Sequence, residues 1–200
     1  MVANLIKGLT ALLLAAPLAA QSTGTPVFHA PYRIFERYEL GGNVSDQGNI
    51  TVEGFYSVSQ AGGRWDISFR AGVQDGGPGG RTGVLAGVDG RVRVIDQSQD
   101  FPLDGAFILG VGTRLVRDAS RLFIPFGLSL GRRVFFEGSS VSLVPYAEPV
   151  LMPTFGNGGS DLAVALGLGA DLRLSRRFEI RAAVGIGDIE NFSIGAAYAR

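Results

Sequence analysis

An all-β chain, closed into an antiparallel up-and-down barrel that spans a membrane, is the fold class the sequence predicts. Three observations predict it. Apolar residues recur on every second position through most of the chain, as in "DLAVALGLGADLRL" (161–174), where Leu162, Val164, Leu166, Leu168, Leu172 and Leu174 alternate with small or charged residues. The opposite face carries mostly Gly, Ala and Ser with a few acids and arginines, and 30 of the 200 residues are Gly. Small residues suit the crowded inside of a narrow barrel, and bulky aliphatics suit lipid. The periodic runs also match the ~9–11 residues that a tilted strand needs to cross a bilayer.

The first twenty residues, "MVANLIKGLTALLLAAPLAA", predict a secretory signal peptide. Lys7 supplies the positive start, Leu9 to Ala16 the short apolar stretch, and Ala20 a cleavage point. The apolar run is shorter than the ~20 residues of a membrane-spanning helix. Export by the Sec pathway follows. The sequence has no Cys, so neither a disulfide framework nor a lipid-anchored Cys is available. Residues 21–33, "QSTGTPVFHAPYR", mix Gly, Pro and polar residues without periodicity and are expected to form an N-terminal linker. The barrel is then expected over 34–200.

Within the barrel the first strand is placed at about 36–44, ahead of the turn "SDQGN" (45–49). The next segment runs to "QAGG" (60–63) and puts Glu53 on the inner face. In "GRWDISFRAGVQ", Trp65, Ile67, Phe69, Ala71 and Val73 oppose Asp66, Ser68, Arg70, Gly72 and Gln74. In "TGVLAGVDGRVRVI", Val84, Ala86, Val88, Val92 and Val94 oppose Asp89, Arg91 and Arg93, and in "FILGVGTRLV" Phe107, Leu109, Val111 and Leu115 oppose Gly110, Gly112 and Arg114. A segment at about 141–152 contains Pro145 and Pro149, which have no N–H for a ladder, so a bulge or a break in pairing is expected there. The period then returns in 161–174, in "RFEIRAAVGIG" with Phe178 and Ile180 outward, and in "NFSIGAAYAR" with Phe192, Ile194, Ala196 and Tyr198 outward. A helical alternative for 161–174 fails because Gly167 and Gly169 would each cost ~1 kcal/mol and the apolar spacing stays at two.

Turn signals give ten strands, with eight as the alternative. An even count returns both ends to the periplasm. Counting back from Arg200 puts "SRR" (175–177) there and "FGNGGS" (155–160) outside. It also puts the long "QSQDFPLDG" inside and the short "RDAS" outside, the reverse of the usual lengths, which keeps the eight-strand alternative open.

The C-terminal strand carries a family resemblance. Phe192, Ile194, Ala196 and Tyr198 repeat the alternate apolar positions found at the end of bacterial outer-membrane barrels, although Arg200 stands where a terminal aromatic is usual. With "LGLGADLRLS" and "GIGDI", the chain resembles small outer-membrane β-barrels of the OmpA/OmpX type over residues 34–200. The resemblance implies a Gram-negative outer-membrane location, contact with outer-membrane lipid, delivery by the barrel-assembly machinery and a monomeric state. It brings no activity with it.

On this assignment Leu162, Val164, Leu166, Leu168, Phe178, Ile180, Phe192, Ile194 and Tyr198 face lipid. The lumen receives the acids Glu39, Glu53, Asp66, Asp89, Glu148, Asp171 and Glu179, and the bases Arg70, Arg91, Arg93, Arg114, Arg173 and Arg181. The two signs nearly cancel, which favours an ion-paired plug over a permeation path. A narrow pore with these residues as its lining is the alternative. A soluble periplasmic lipocalin-like binding barrel is a further one. The formal net charge of zero gives no footprint for nucleic acid. His29, the single histidine, is expected in the linker and out of reach of the lumen, so no Ser-His-Asp or Asp-His arrangement is expected inside the barrel. No catalytic group, metal or cofactor is therefore expected, and the chain is read as a non-enzymatic contributor to the cell envelope.

Overall fold

The computed structural model describes residues 22–77, 80–117 and 119–200. The signal peptide expected over 1–20 lies outside the described residues.

Twelve strands form one antiparallel sheet that closes on itself. In chain order they are β1 (Tyr38–Asp46), β2 (Ile50–Ser59), β3 (Trp65–Gln74), β4 (Gly83–Ile95), β5 (Asp104–Val116), β6 (Ala119–Phe123), β7 (Phe126–Gly131), β8 (Val134–Phe135), β9 (Ser142–Gly156), β10 (Gly159–Arg173), β11 (Phe178–Gly187) and β12 (Asn191–Ala199). Each of β1 to β5 pairs with its successor, as do β9 to β11, and β12 closes the wall against β1 from Glu39↔Ala199 to Asp46↔Phe192. β6 and β7 both fill the place between β5 and β9, and β8 continues that line against β9. The barrel therefore has ten staves, one of them in segments. Apart from the two-residue β8, which pairs with β9 alone, each strand is paired on both edges, as hydrocarbon surroundings demand. There is no helix among the described residues.

The prolines do not break β9. It runs fifteen residues, pairs with β10 without a slip, and includes Pro145↔Ala170, Pro149↔Leu166 and Pro153↔Leu162. There is no bulge toward β10; the expected break in pairing falls on the other side, where the β7–β9 ladder skips Pro149 and Glu148, and the reason is geometric. Residues 145, 149 and 153 share one parity, so their backbone groups all point to the same neighbour. That neighbour is the segmented stave: Ile124 N–H donates to the Pro153 carbonyl at 3.0 Å and Arg132 N–H to the Pro145 carbonyl at 3.3 Å. The missing N–H groups fall where the opposite ladder is already interrupted, so the long β9–β10 ladder loses nothing.

The long connection 96–103 sits at the mouth where β1 begins and β12 ends, here called the proximal mouth. A Ser98 N–H bond to the Phe101 carbonyl (2.9 Å) and a Gln97 N–H bond to Asp104 Oδ1 (3.1 Å) order it. The distal mouth carries the short turns at 47–49, 157–158 and 188–190 and the eight-residue connection between β3 and β4.

Alternation sorts the side chains to two faces. Outside, Leu40, Ile50, Phe69, Val84, Leu109, Val164 and Ile186 belong to a continuous exposed apolar belt. Inside, Glu39, Glu53, Asp66, Arg70, Asp89, Arg91, Glu148, Asp171, Arg173 and Glu179 are all buried. One side of the lumen is also apolar: Val144, Tyr146, Val150 and Met152 of β9 pack with Ala163, Ala165, Ala183 and Ile189.

Residues 22–31, expected as a linker ahead of the barrel, lie inside it, and each of them is buried. The chain passes the proximal mouth at Arg33, whose guanidinium donates to the carbonyls of Trp65, Gln60 and Gly63. Further in, Thr25 reaches Glu53 and Pro26 reaches Ser193, both in the distal half of the wall. An aperiodic stretch of small residues forms no stave, and it is narrow enough to be enclosed by ten of them.

Candidate functional site

The lumen is the site, and glycines on its wall shape it. A Cβ added at Gly167 of β10 would stand 2.1 Å from a ring carbon of Phe28. One added at Gly112 of β5 would stand 1.6 Å from the Ser22 carbonyl oxygen. The wall is therefore cut to the N-terminal segment, with Phe28 seated over β10 and Ser22 over β4 and β5.

Polar contacts fix the same segment at successive heights. Thr25 Oγ1 donates to Glu53 Oε2 (2.7 Å), and Ser193 Oγ donates to the Pro26 carbonyl (2.8 Å). Tyr146 donates its hydroxyl to the Phe28 carbonyl (3.0 Å), the His29 N–H donates to Glu148 Oε2 (2.8 Å), and Ser129 Oγ donates to the His29 carbonyl (2.5 Å). Arg91 Nη1 donates to the carbonyls of Ala30 (2.6 Å) and Tyr32 (2.8 Å), while its Nε pairs with Asp66 at 2.9 Å. Tyr32 donates its hydroxyl to Asp104. Within the segment the Val27 N–H donates to the Thr25 carbonyl (2.8 Å), and the wall takes up the other backbone groups named above.

His29 thus lies in the lumen, contrary to the expectation that it could not reach one. Its Nε2 stands 3.1 Å from Asp89 Oδ2 and 2.8 Å from Arg70 Nη2, and Arg70 Nε pairs with Asp89 Oδ1 at 2.9 Å. Ser22 Oγ also donates to Asp89 Oδ1 (3.3 Å). A serine, a histidine and an aspartate therefore do meet inside the barrel, which the sequence argument had excluded. Their order is wrong for nucleophilic catalysis. The carboxylate stands between hydroxyl and imidazole, whereas a triad needs the imidazole between hydroxyl and carboxylate.

A second network lies within the wall. Arg181 Nη2 pairs with Glu39 at 2.8 Å and its Nε with Glu179 at 2.7 Å, while Asp171 stands farther off at 3.9 Å. Arg173 Nε takes the other oxygen of Glu179 at 2.7 Å. Glu179 is the hub between two guanidiniums, and the Arg181 guanidinium also lies over the Phe55 ring at 5.2 Å. Buried pairs of this kind hold register, and removing one partner leaves an uncompensated charge.

Two arginines placed on the lumen face by alternation take no part in these networks. Arg93 is half-buried near the proximal rim and pairs with Asp96 at 3.3 Å. Arg114 is half-buried near the distal rim, toward the end of β5. Of the outward set, Leu162, Val164, Leu166, Leu168, Phe178, Phe192, Ile194 and Tyr198 are exposed on the outer face, and Ile180 is half-buried there. No group of three or more potential metal ligands is found among the described residues.

The sequence argument missed the N-terminal segment and the apolar side of the lumen. The second left a signal: Val144, Tyr146, Val150 and Met152 make the inner face of β9 as apolar as its outer one. The first left only an indirect one, a lumen face rich in glycine that needs something to fill it.

Solved structures share this architecture. The β domain of the Bordetella autotransporter BrkA matches with a TM-score of 0.56 at 20% identity, covering 82% of this chain and 83% of that one. A bacterial polysaccharide outer membrane secretin matches with a TM-score of 0.50 at 9% identity, covering 83% of this chain and 65% of that one. No protein-family model matches the sequence, and no curated protein matches it either. The likeness is one of fold: this is an outer-membrane type of β-barrel.

Proposed function

We propose that the chain is a non-enzymatic outer-membrane β-barrel, closed by its own N-terminal segment, that contributes to cell-envelope structure. The observation that carries this reading is the complete burial of residues 22–31 inside the lumen, with wall glycines cut to their shape. The networks around Asp89, Arg91 and Glu179 add to the seal by neutralising charges that would otherwise draw water and ions into the lumen.

The remaining assignments follow from this reading. The exposed apolar belt is the surface that meets outer-membrane lipid. Export by the Sec pathway and folding by the barrel-assembly machinery bring the chain there, as a monomer that binds no nucleic acid and carries no cofactor. Its small size and the alternate apolar positions of its last strand keep it near the OmpA/OmpX type of barrel.

Planar-bilayer recording on the refolded chain, with insertion verified by protease protection, tests the closed lumen. Inserted protein that passes no steady current supports it. Discrete, reproducible steps would favour the narrow pore, with Arg91 and Arg173 as part of its lining.

A further inference from the structure

A cavity of about 770 Å³ opens at the proximal mouth, outside the sealed part of the lumen. Its wall is strongly one-signed. Arg33, Arg133, Arg173, Arg176, Arg177 and Arg200 line it, and Glu36 is the single side-chain carboxylate among its lining residues. Arg133, Arg176 and Arg177 form no ion pair with any described residue.

A second observation is independent of the charge count. Arg173 is 94% buried, being 6% exposed, and its Nε is held by Glu179, yet its Nη2 has no hydrogen-bond partner. The Arg133 Nε is likewise buried and without a partner. Leaving such donors unmade is expensive in a folded protein, and guanidinium donors pair best with multi-oxygen anions. Arg133 and Arg173 also share one ring: their guanidiniums lie 4.8 and 5.9 Å from the Tyr32 centroid. The Tyr32 side chain, itself anchored to Asp104, holds the two cations in place beside each other. The Arg133 guanidinium, set beside that of Arg173 and with no carboxylate paired to it, leaves charge that a bound anion would compensate. The side chain stays charged.

We propose that this cavity is a binding site for a phosphate-bearing ligand, held by Arg133 and Arg173 and attracted by Arg176 and Arg177. The guanidiniums approach from three separate elements: the β7–β8 connection, the end of β10, and the β10–β11 turn. Convergence from several directions fits a tetrahedral oxyanion with oxygens on every side, where a planar carboxylate would engage one fork. Ser139, Ser140 and Ser175 add hydroxyl groups to the lining, and exposed Phe135 stands at its edge. The phosphate group has two sources, a soluble phosphate ester or the headgroup of a lipid in the adjoining leaflet. The site does not depend on whether the lumen conducts.

The test is calorimetric titration of the full chain, refolded in a phosphate-free detergent, with inorganic pyrophosphate. Saturable binding is expected, weakening as salt rises. Arg133→Gln is expected to weaken it about tenfold or more, the loss of one charge-assisted hydrogen bond. The double variant Arg176→Gln/Arg177→Gln, which changes only exposed side chains of the turn, is expected to weaken it as well. Arg117→Gln, on the distal side, is the control and is expected to bind as the parent does. Competition by phosphatidylglycerol in mixed micelles would assign the natural ligand to lipid, and lack of competition to a soluble ester. No saturable binding, or equal binding by the Arg133→Gln, Arg176→Gln/Arg177→Gln and Arg117→Gln proteins, would overturn the proposal.

Discussion

Phe28→Ala isolates the seating of the N-terminal segment from the stability of the wall. Phe28 is 3% exposed, packed against the Gly167 backbone and within the apolar cluster of Val144, Tyr146 and Met152. Removing its ring from water accounts for ~1.5–3 kcal/mol. The vacated space adds to that cost, because its lining is a hydrogen-bonded wall that collapses little, which places the total at about 3–5 kcal/mol. The segment leaves the lumen as a unit while the strands stay paired, so the loss appears as local opening. Hydrogen exchange in detergent micelles reads it directly. Amide protection over residues 22–32 should fall by roughly two to four orders of magnitude, at about 1.4 kcal/mol per tenfold. Protection in β10 and β11 should hold. Unchanged protection over 22–32, or an equal fall across β10 and β11, would refute the reasoning.

Other perturbations probe separate parts of the account. Arg91→Gln removes the bridge between Asp66 and the Ala30 and Tyr32 carbonyls, and leaves Asp66 buried without its partner. It should cost about 3–5 kcal/mol by denaturant titration, and the paired change Arg91→Met/Asp66→Leu should recover most of that. Gly167→Val should lower protection over 22–32 in the parent, yet do little further harm in a Phe28→Ala background, since the two side chains compete for one space. Additive effects would show that the Phe28 seat is misplaced. Leu168→Arg on the outer face should destabilise the barrel in lipid by about 2–4 kcal/mol if that face meets the bilayer centre, and little if it meets water. Pro149→Ala should change stability by less than about 1 kcal/mol, because the N–H it restores points to the interrupted stave.

How much of this was legible in the sequence depended on whether a residue obeys the period. The wall did. The alternation in 161–174 fixes which side chains of β10 point in, and the same rule placed Asp66, Arg70, Asp89 and Arg91 in the lumen, where they are buried. The ten-stave count was likewise available from turn residues, despite the long connection at 96–103 on the proximal side. Pro145 and Pro149 announced a break in pairing but not its side, because a single strand shows that an N–H is missing without showing which neighbour misses it. Residues 22–31 were opaque for a different reason. Many of their contacts run from backbone carbonyls and amides to Arg91, Tyr146, Ser129 and Glu148, contacts that are indifferent to side-chain pattern, and the side chains that also bind, such as Thr25 and Phe28, follow no period. His29 went astray with them, since its place depends on the path of the segment and not on any strand. The networks' partners were partly hidden too: charge balance suggested pairing, but only register shows that Glu179 serves both Arg173 and Arg181.

The central claim is that the N-terminal segment closes the lumen, and one comparison tests it most directly. Single-channel current is recorded from the inserted full chain and from a variant in which residues 22–32 are replaced by an equal length of Gly and Ser. Both are first shown by protease protection to be inserted. The account predicts a silent parent and a variant that passes steady current through the vacated, arginine- and glutamate-lined lumen. Equal current through the two proteins, or equal silence, would contradict it.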